Sequence, residues 1–469
     1  MVHNDLDIGV GSRRQDADTV FHELTRSVCP ECLRSIDAQV LLRHNQVYMR
    51  KRCPEHGWFE GLISSDVEAY VASARFNKPG SIPLGWSTEV RDGCPWDCGL
   101  CPEHKQHICV ALIEVNSACN LDCPVCFANA GQGFNLTLPE VERMLDRLIE
   151  LEGNPEVVQF SGGEPTIHPQ ILDFVGAAQA RGIPHVMINT NGVRIADDDA
   201  FVAALAELRP SIYLQFDGLQ LETHLTLRGR DLRQTKARAL ERLGAAGLDV
   251  VLVAAVERDV NDHELGDLVR FGLGHPAVRG IAFQPVTHVG RHIAFDPLRR
   301  MTIPDVIGGL VAQSAGVLRQ TDFVPVPCCF PTCQSNTYLY LSDAGVVPLP
   351  RVLDVENYLD YVTNRAVPDL TPLNPEIRQS LEALWSSAAV PGTEALLGRF
   401  RCAGNECLAM GDGIPALKER LFQISIKDFM DAWTFNVKQV MKCCVGVLVP
   451  DGRLIPFCAY NTVGYREQV

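Results

Sequence analysis

Residues 110–126 read VALIEVNSACNLDCPVC: an apolar run, Val110–Val115, and directly after it Cys119, Cys123 and Cys126. A short run rich in Val, Ile and Leu, closed by Asn-Ser, reads as a buried strand. Three thiols at one strand end can bind three irons of a [4Fe–4S] cube and leave the fourth iron open to the amino and carboxylate groups of a small molecule. A zinc knuckle short of its fourth ligand is the alternative.

Working outward, strand-like runs recur at 157–160, 186–188, 212–216, 250–256 and 281–283, with helical patterns between them. Thr137 and Glu140 form a capping box, Pro139 suits the first turn, and Val141, Met144, Leu145, Leu148 and Ile149 share one helical face. Residues 171–178 and 201–208 repeat that pattern. Six βα units predict a parallel sheet. The expected fold class is α/β, an open, partial (β/α)6 barrel with its site at the C-terminal ends of the strands. A doubly wound sheet would produce the same pattern.

The second unit ends in Gln159-Phe160-Ser161-Gly162-Gly163-Glu164-Pro165. Gly162 and Gly163 let backbone approach a ligand closely, and Glu164 can accept a hydrogen bond from an ammonium. Taken alone, this is equally a Gly-Gly turn with a solvated Glu. One βα unit after the cysteines, however, is where a shared ligand requires it. Other strands end in Asn189 and Asn191, in Gln215 and Asp217, in Glu257 and in Gln284. Each is a candidate ligand contact or a turn-forming polar residue. Arg228 is either a carboxylate partner or a surface arginine.

Eighteen cysteines are many for one chain. Ten lie between Cys29 and Cys126, eight lie from Cys328 to Cys458, and none lies between the groups. Such clustering suits metal sites flanking a cysteine-free scaffold. Cys94, Cys98 and Cys101 repeat the 119–126 spacing without the strand before or the Gly-Gly-Glu after, and are assigned to an auxiliary cluster, with zinc as the alternative. His104, His107 and Cys109 are in reach as a fourth ligand. Cys29-Pro-Glu-Cys32 and Cys53-Pro-Glu-His56 are two knuckles whose spacing suits a zinc or mononuclear iron site. In the C-terminal group, adjacent cysteines point apart, so the expected ligands are Cys328 or Cys329, Cys333, Cys444 or Cys443, and Cys458. Buried free thiols are the alternative there.

These boundaries divide the chain into a metal-knuckle region (1–90), an auxiliary-cluster segment (91–109), the partial barrel (110–300) and a separate cysteine-rich C-terminal layer (301–469). The formal net charge of −15 argues against nucleic acid as a partner, since phosphate binding needs clustered Lys and Arg. No apolar run reaches the length of a membrane span, and MVHNDLDIGVGSRRQD has no signal-peptide core, so the expected location is cytoplasmic.

Cys119–Cys126 followed by Gly162-Gly163-Glu164 on six βα units resembles the radical S-adenosylmethionine (SAM) superfamily over about residues 110–290. The resemblance implies that Cys119, Cys123 and Cys126 bind a [4Fe–4S] cluster that cleaves SAM. It also implies that Gly162, Gly163 and Glu164 contact the SAM amino group, with Asn189, Gln215, Asp217, Glu257 and Gln284 as further cofactor contacts. The residue before the third cysteine, usually aromatic in that superfamily, is here Val125. The whole cysteine order, from CPEC at residue 29 to PFCAYN ending at residue 461, is similar to the tetraether-synthase-like radical SAM enzymes, some of them earlier described as dihydro-hydroxymethylpterin methyltransferases.

That similarity implies hydrogen abstraction from an unactivated carbon and carbon–carbon bond formation on lipid hydrocarbon chains. It further implies one or two auxiliary clusters, a zinc or iron site, a reductase or ferredoxin-type electron donor, and peripheral membrane contact if the substrate is a lipid. Methylation of a pterin, peptide maturation, and an iron–sulfur electron carrier without SAM turnover are the rival functions.

Overall fold

The computed structural model describes residues 18–131, 133–327, 329–342, 345–351 and 420–468. At the N-terminal end a four-stranded antiparallel sheet is formed by β1 (Thr19–Val28), β2 (Ser35–Arg43), β3 (Gln46–Cys53) and β4 (Gly57–Ser64). The turns joining β1 to β2 and β3 to β4 carry the two knuckles, which is why the paired ligands meet across the sheet end.

The barrel strands are β5 (Val110–Asn116), β6 (Val157–Gly162), β7 (His185–Thr190), β8 (Ser211–Gln215), β9 (Val250–Val256) and β10 (Val278–Pro285). They lie side by side in sequence order and every adjacent pair is parallel. Helices Leu138–Glu152, Ile171–Ala180, Asp199–Leu208, Arg233–Ala245 and Leu265–Gly274 alternate with them, as βα connections require. The expected capping box at Thr137 and Glu140 is present, and Val141, Met144, Leu145 and Leu148 are buried by that helix. One core runs from Ile113 and Val115 through Phe160, Ile188, Leu214 and Leu252 to Phe283. The sheet remains open, a partial barrel.

The C-terminal region, expected as a separate layer, instead extends the same sheet at both edges. β14 (Leu421–Lys427) pairs parallel with β10, and β15 (Val445–Leu448) pairs parallel with β5. β12 (Gln334–Ser342), which itself pairs with the short β11 (Val324–Pro325) and β13 (Gly345–Pro348), and β16 (Leu454–Pro456) then extend the two edges antiparallel. Strands reaching the edges from so far along the chain leave no signal in local periodicity. No helix among the described residues is long and apolar enough to cross a membrane.

Candidate functional site

The cysteine loop is fixed by backbone pairing before any side chain is considered. Gly163 N donates to Asn116 O and Glu164 N to Ala118 O, both at 2.8 Å, so the Gly-Gly-Glu strand end lies against the entry to the loop. A Cβ on Gly163 would sit 2.2 Å from Ala118 O and 2.5 Å from Ser117 O. Only glycine permits this approach. At the loop's other end, Cys126 and Arg291 exchange backbone hydrogen bonds of 2.8 and 3.1 Å.

The donor set fits a polynuclear cluster. Among the described residues, one group of three or more possible metal donors lies within 4.8 Å of one another, and it is Cys29, Cys32, Cys53 and His56 in the N-terminal sheet. That spacing matches a single tetrahedral ion, for which a metal–sulfur bond of about 2.3 Å places sulfurs about 3.8 Å apart. The thiols of Cys119, Cys123 and Cys126 form no such tight group, so a single tetrahedral ion does not match them. Amides of Leu121 and Ala130 point at the Cys119 and Cys126 sulfurs, each at 3.4 Å. Burial pushes the Cys119 thiol up to about 11, helped by Glu164 and by the other two cysteines. Three mutually repelling thiolates need a cation to hold them ionised.

Glu164, the expected ammonium acceptor, is buried among protein donors. Its buried carboxylate already accepts from Thr166 N (3.1 Å), the Thr166 hydroxyl, Thr190 Oγ1 (2.7 Å) and Asn191 N (2.7 Å). Its side chain therefore organises the ends of β6 and β7. Asn191, thus anchored, donates to Asn120 Oδ1 (2.6 Å) and reaches Cys119 Sγ (3.9 Å). Buried Lys236 donates to Asn191 O at 2.6 Å.

Asp217 is likewise committed. Arg228 donates to it twice, and donates through Nη1 to Val125 O (2.9 Å) inside the cysteine loop. Gln215 Oε1, with the side-chain amide turned to satisfy its neighbours, accepts from the same guanidinium at 2.9 and 2.7 Å. Both Asp217 carboxylate oxygens accept from Arg228, and burial of the carboxylate would be prohibitive without the arginine. Burial alone would raise the Asp217 carboxyl, but Arg228 holds it below the ordinary range. Asn189 donates weakly to Ser161 Oγ (3.4 Å), and Gln284 reaches Tyr213. Glu257 accepts from Arg258 N at Oε1 (3.1 Å).

Around the remaining cysteines, a hydrogen bond with Cys94 and burial raise the Cys98 pKa, and the charges of Cys94, Cys101 and Cys443 add to it. His104 spends Nε2 on Cys443 O (2.9 Å), and its burial pushes its pKa down to about 4. His107 faces Glu152 (3.4 Å) and Cys109 (3.5 Å). Cys443, on the far side of the sequence, is thus the neighbour that local spacing missed. In the C-terminal group, burial works against the charge of Lys427, but Cys444, Cys329, Cys443 and Cys333 hold its pKa up. Cys458 accepts from Met430 N (3.4 Å) and senses Cys443. Cys328, Cys402 and Cys407 fall outside the described residues. Phe127, next to Cys126, stacks on Phe457 (5.2 Å) and meets Phe429 edge-on (5.7 Å), which puts an aromatic surface between the two cysteine groups.

Two family models match the chain: an HMPTM N-terminal zinc ribbon domain over residues 21–65 and the radical SAM superfamily over residues 113–272. The 7,8-dihydro-6-hydroxymethylpterin dimethyltransferase of Methanocaldococcus jannaschii is 34% identical over 95% of this chain and 94% of its own length. The GTP 3′,8-cyclase of Chlorobaculum tepidum is 33% identical over 40% of this chain and 58% of its own. Streptococcus suis SuiB bound to its precursor peptide is similar at 19% identity and a TM-score of 0.36, over 41% of this chain and 43% of SuiB.

Proposed function

This chain belongs to the radical SAM superfamily, in the family of its Methanocaldococcus relative, and from that premise we propose that it forms carbon–carbon bonds at unactivated carbons of lipid hydrocarbon chains. In this reading Cys119, Cys123 and Cys126 are the ligands of the SAM-binding [4Fe–4S] cluster. Cys29, Cys32, Cys53 and His56 hold zinc, and the remaining cysteines hold auxiliary clusters. Bound to the three thiolates, the cluster and SAM supply one-electron cleavage of the sulfonium and a radical able to take hydrogen from a C–H bond.

The protein's own part is binding, orientation and exclusion of water. Gly162 and Gly163 leave backbone free of side chains at the strand end beside the cysteine loop, where an amino acid moiety would dock. Asp217, Arg228 and Gln215 keep the cysteine loop in one shape. The observation that carries the hydrocarbon reading is the aromatic cluster of half-buried Phe127 and Phe457 over buried Phe429, beside Cys126. It offers apolar contact between the first cysteine loop and the second thiol group. A ferredoxin-type reductant supplies the electron.

A second reading, methylation of a pterin carbon, is favoured by the similarity to the Methanocaldococcus pterin dimethyltransferase and by the polar groups at the ends of β9 and β10. Anaerobic reconstitution with SAM and dithionite separates the two. With deuterated hydrocarbon chains, deuterium should appear in 5′-deoxyadenosine. If it appears only from a deuterated 6-hydroxymethyl-dihydropterin, the second reading replaces the first. If no 5′-deoxyadenosine forms at all, both are lost.

A further inference from the structure

Away from the cysteine loop, five buried polar atoms without a hydrogen-bond partner gather at the C-terminal ends of three neighbouring strands. Glu257 follows β9, His288 lies just beyond β10, and Asp428 follows β14. The atoms are Glu257 Oε2, both ring nitrogens of His288, Arg300 Nη2 and Asp428 Oδ1. They face one another at distances too long for good hydrogen bonds. His288 Nε2 is 3.6 Å from Glu257 Oε2, and Arg300 Nη2 is 4.0 Å from Asp428 Oδ1. A buried polar atom left without a partner carries the full cost of its desolvation. Five in one place therefore call for a ligand that completes them.

The surroundings define what that ligand brings. Asp431, 3.4 Å from His288 Nδ1, is already taken by Arg300 Nη1 (2.8 Å) and by the amides of Trp433 and Thr434 (3.0 and 3.3 Å). It holds the histidine and arginine and has little left to give. Phe295 stacks flat on His288, with centroids 3.4 Å apart, and closes that face of the ring. The free groups are then two carboxylate oxygens, one guanidinium nitrogen and an imidazole. A phosphate would meet two like charges. A neutral or cationic group with N–H or O–H donors would satisfy Glu257 and Asp428, and an adjacent oxygen would satisfy Arg300.

We propose that Glu257, His288, Arg300 and Asp428 form a substrate-anchoring subsite for a non-anionic group that presents paired N–H or O–H donors, with Asp431 as its positioning residue. An aminopyrimidine edge and the vicinal hydroxyls of a glyceride share this chemistry. The subsite rests on the enzymatic reading above only in being called substrate-anchoring. Its loop also carries Arg291, whose backbone pairs with Cys126, so a group held here lies one loop from the cysteines.

The test is equilibrium binding to the reconstituted full-length protein, with 6-hydroxymethylpterin, 1-monooctanoylglycerol and glycerol 1-phosphate as separate probes. One of the first two should bind and should weaken at least tenfold in both Glu257→Gln and Asp428→Asn, whereas glycerol 1-phosphate should not bind. The pterin arm identifies a heterocycle and the glyceride arm a lipid head. Both substitutions are nearly isosteric, and if one fails to fold the other is read alone. In unaltered protein, the bound probe should also slow hydrogen exchange in residues 286–296, a readout that needs no variant. The proposal is overturned if neither probe binds, if binding ignores both substitutions, or if they weaken SAM instead. Production of 5′-deoxyadenosine with dithionite is scored separately, so loss of the subsite and loss of the radical-enzyme reading remain distinguishable.

Discussion

Arg228 grips Asp217 through two parallel hydrogen bonds, Nε to Oδ2 and Nη2 to Oδ1, each 2.6 Å, and both residues are buried. The remaining nitrogen, Nη1, reaches Val125 O between the second and third cysteines. An ion pair at the end of β8 thus sets the shape of a loop that follows β5. Removing one partner leaves a buried charge uncompensated, at about 3–5 kcal/mol. Arg228→Met should lower the melting temperature and, after reconstitution, the iron and sulfide content per chain. Arg228→Lys should recover little of either, because an ammonium cannot span the same fork. Iron content equal to that of the unaltered protein would sink this account.

Replacing Cys119, Cys123 or Cys126 with Ala should abolish 5′-deoxyadenosine while leaving the fold intact. Circular dichroism and product analysis by mass spectrometry read the two outcomes separately. Retained cleavage in any one of the three variants would show that the ligand set lies elsewhere.

Gly163→Ala places a methyl group against the Ala118 and Ser117 carbonyls, backbone that cannot simply move aside. Overpacking of this kind costs about 1–3 kcal/mol. It should push the end of β6 away from the cysteine loop, so SAM affinity should fall at least tenfold by equilibrium dialysis. Unchanged affinity would mean that this close approach serves packing alone.

The N-terminal ribbon braces the C-terminal turn and helix cap at residues 432–436. Buried Lys51 on β3 donates to Ser27 Oγ (2.9 Å) and to Ala432 O, and Thr25 Oγ1 donates to Asn436 Oδ1 (2.7 Å). Substituting Cys29 or Cys53 with Ser should therefore release zinc and also speed hydrogen exchange in residues 430–436. Exchange confined to residues 19–64 would show that the two parts are uncoupled.

Burial pushes the Lys51 ammonium down to about 7, against the opposing pull of Asp431. Between that pH and the ordinary lysine range near 10.5, the unfolded chain holds a proton that the folded chain does not, so stability rises with pH. The contribution is complete above about 10.5 and is lost as pH falls through about 7. Denaturant titrations across pH 7–10 should show a shallower rise in Lys51→Met, by up to about 1.4 kcal/mol per pH unit. Identical slopes would refute the assignment.

The sequence by itself determined whatever depends on residues close together along the chain. Strand and helix periodicity gave the six βα units. The 119–126 spacing and the glycine pair one unit later located the cysteine loop, and the paired knuckles located the ribbon site. Only the tertiary structure decided which charges meet. Spacing cannot say that Asp217 is spent on Arg228, that four protein donors occupy Glu164, or that Cys443 comes beside Cys98. Nor can it say that β14 and β15, from the chain's end, flank the barrel and bring Asp428 and Asp431 to Glu257 and His288. The physical reason is that a buried charge is settled by its nearest partner in space, and a parallel strand by an edge it reaches across long loops. Neither leaves a periodic trace in the residues nearby.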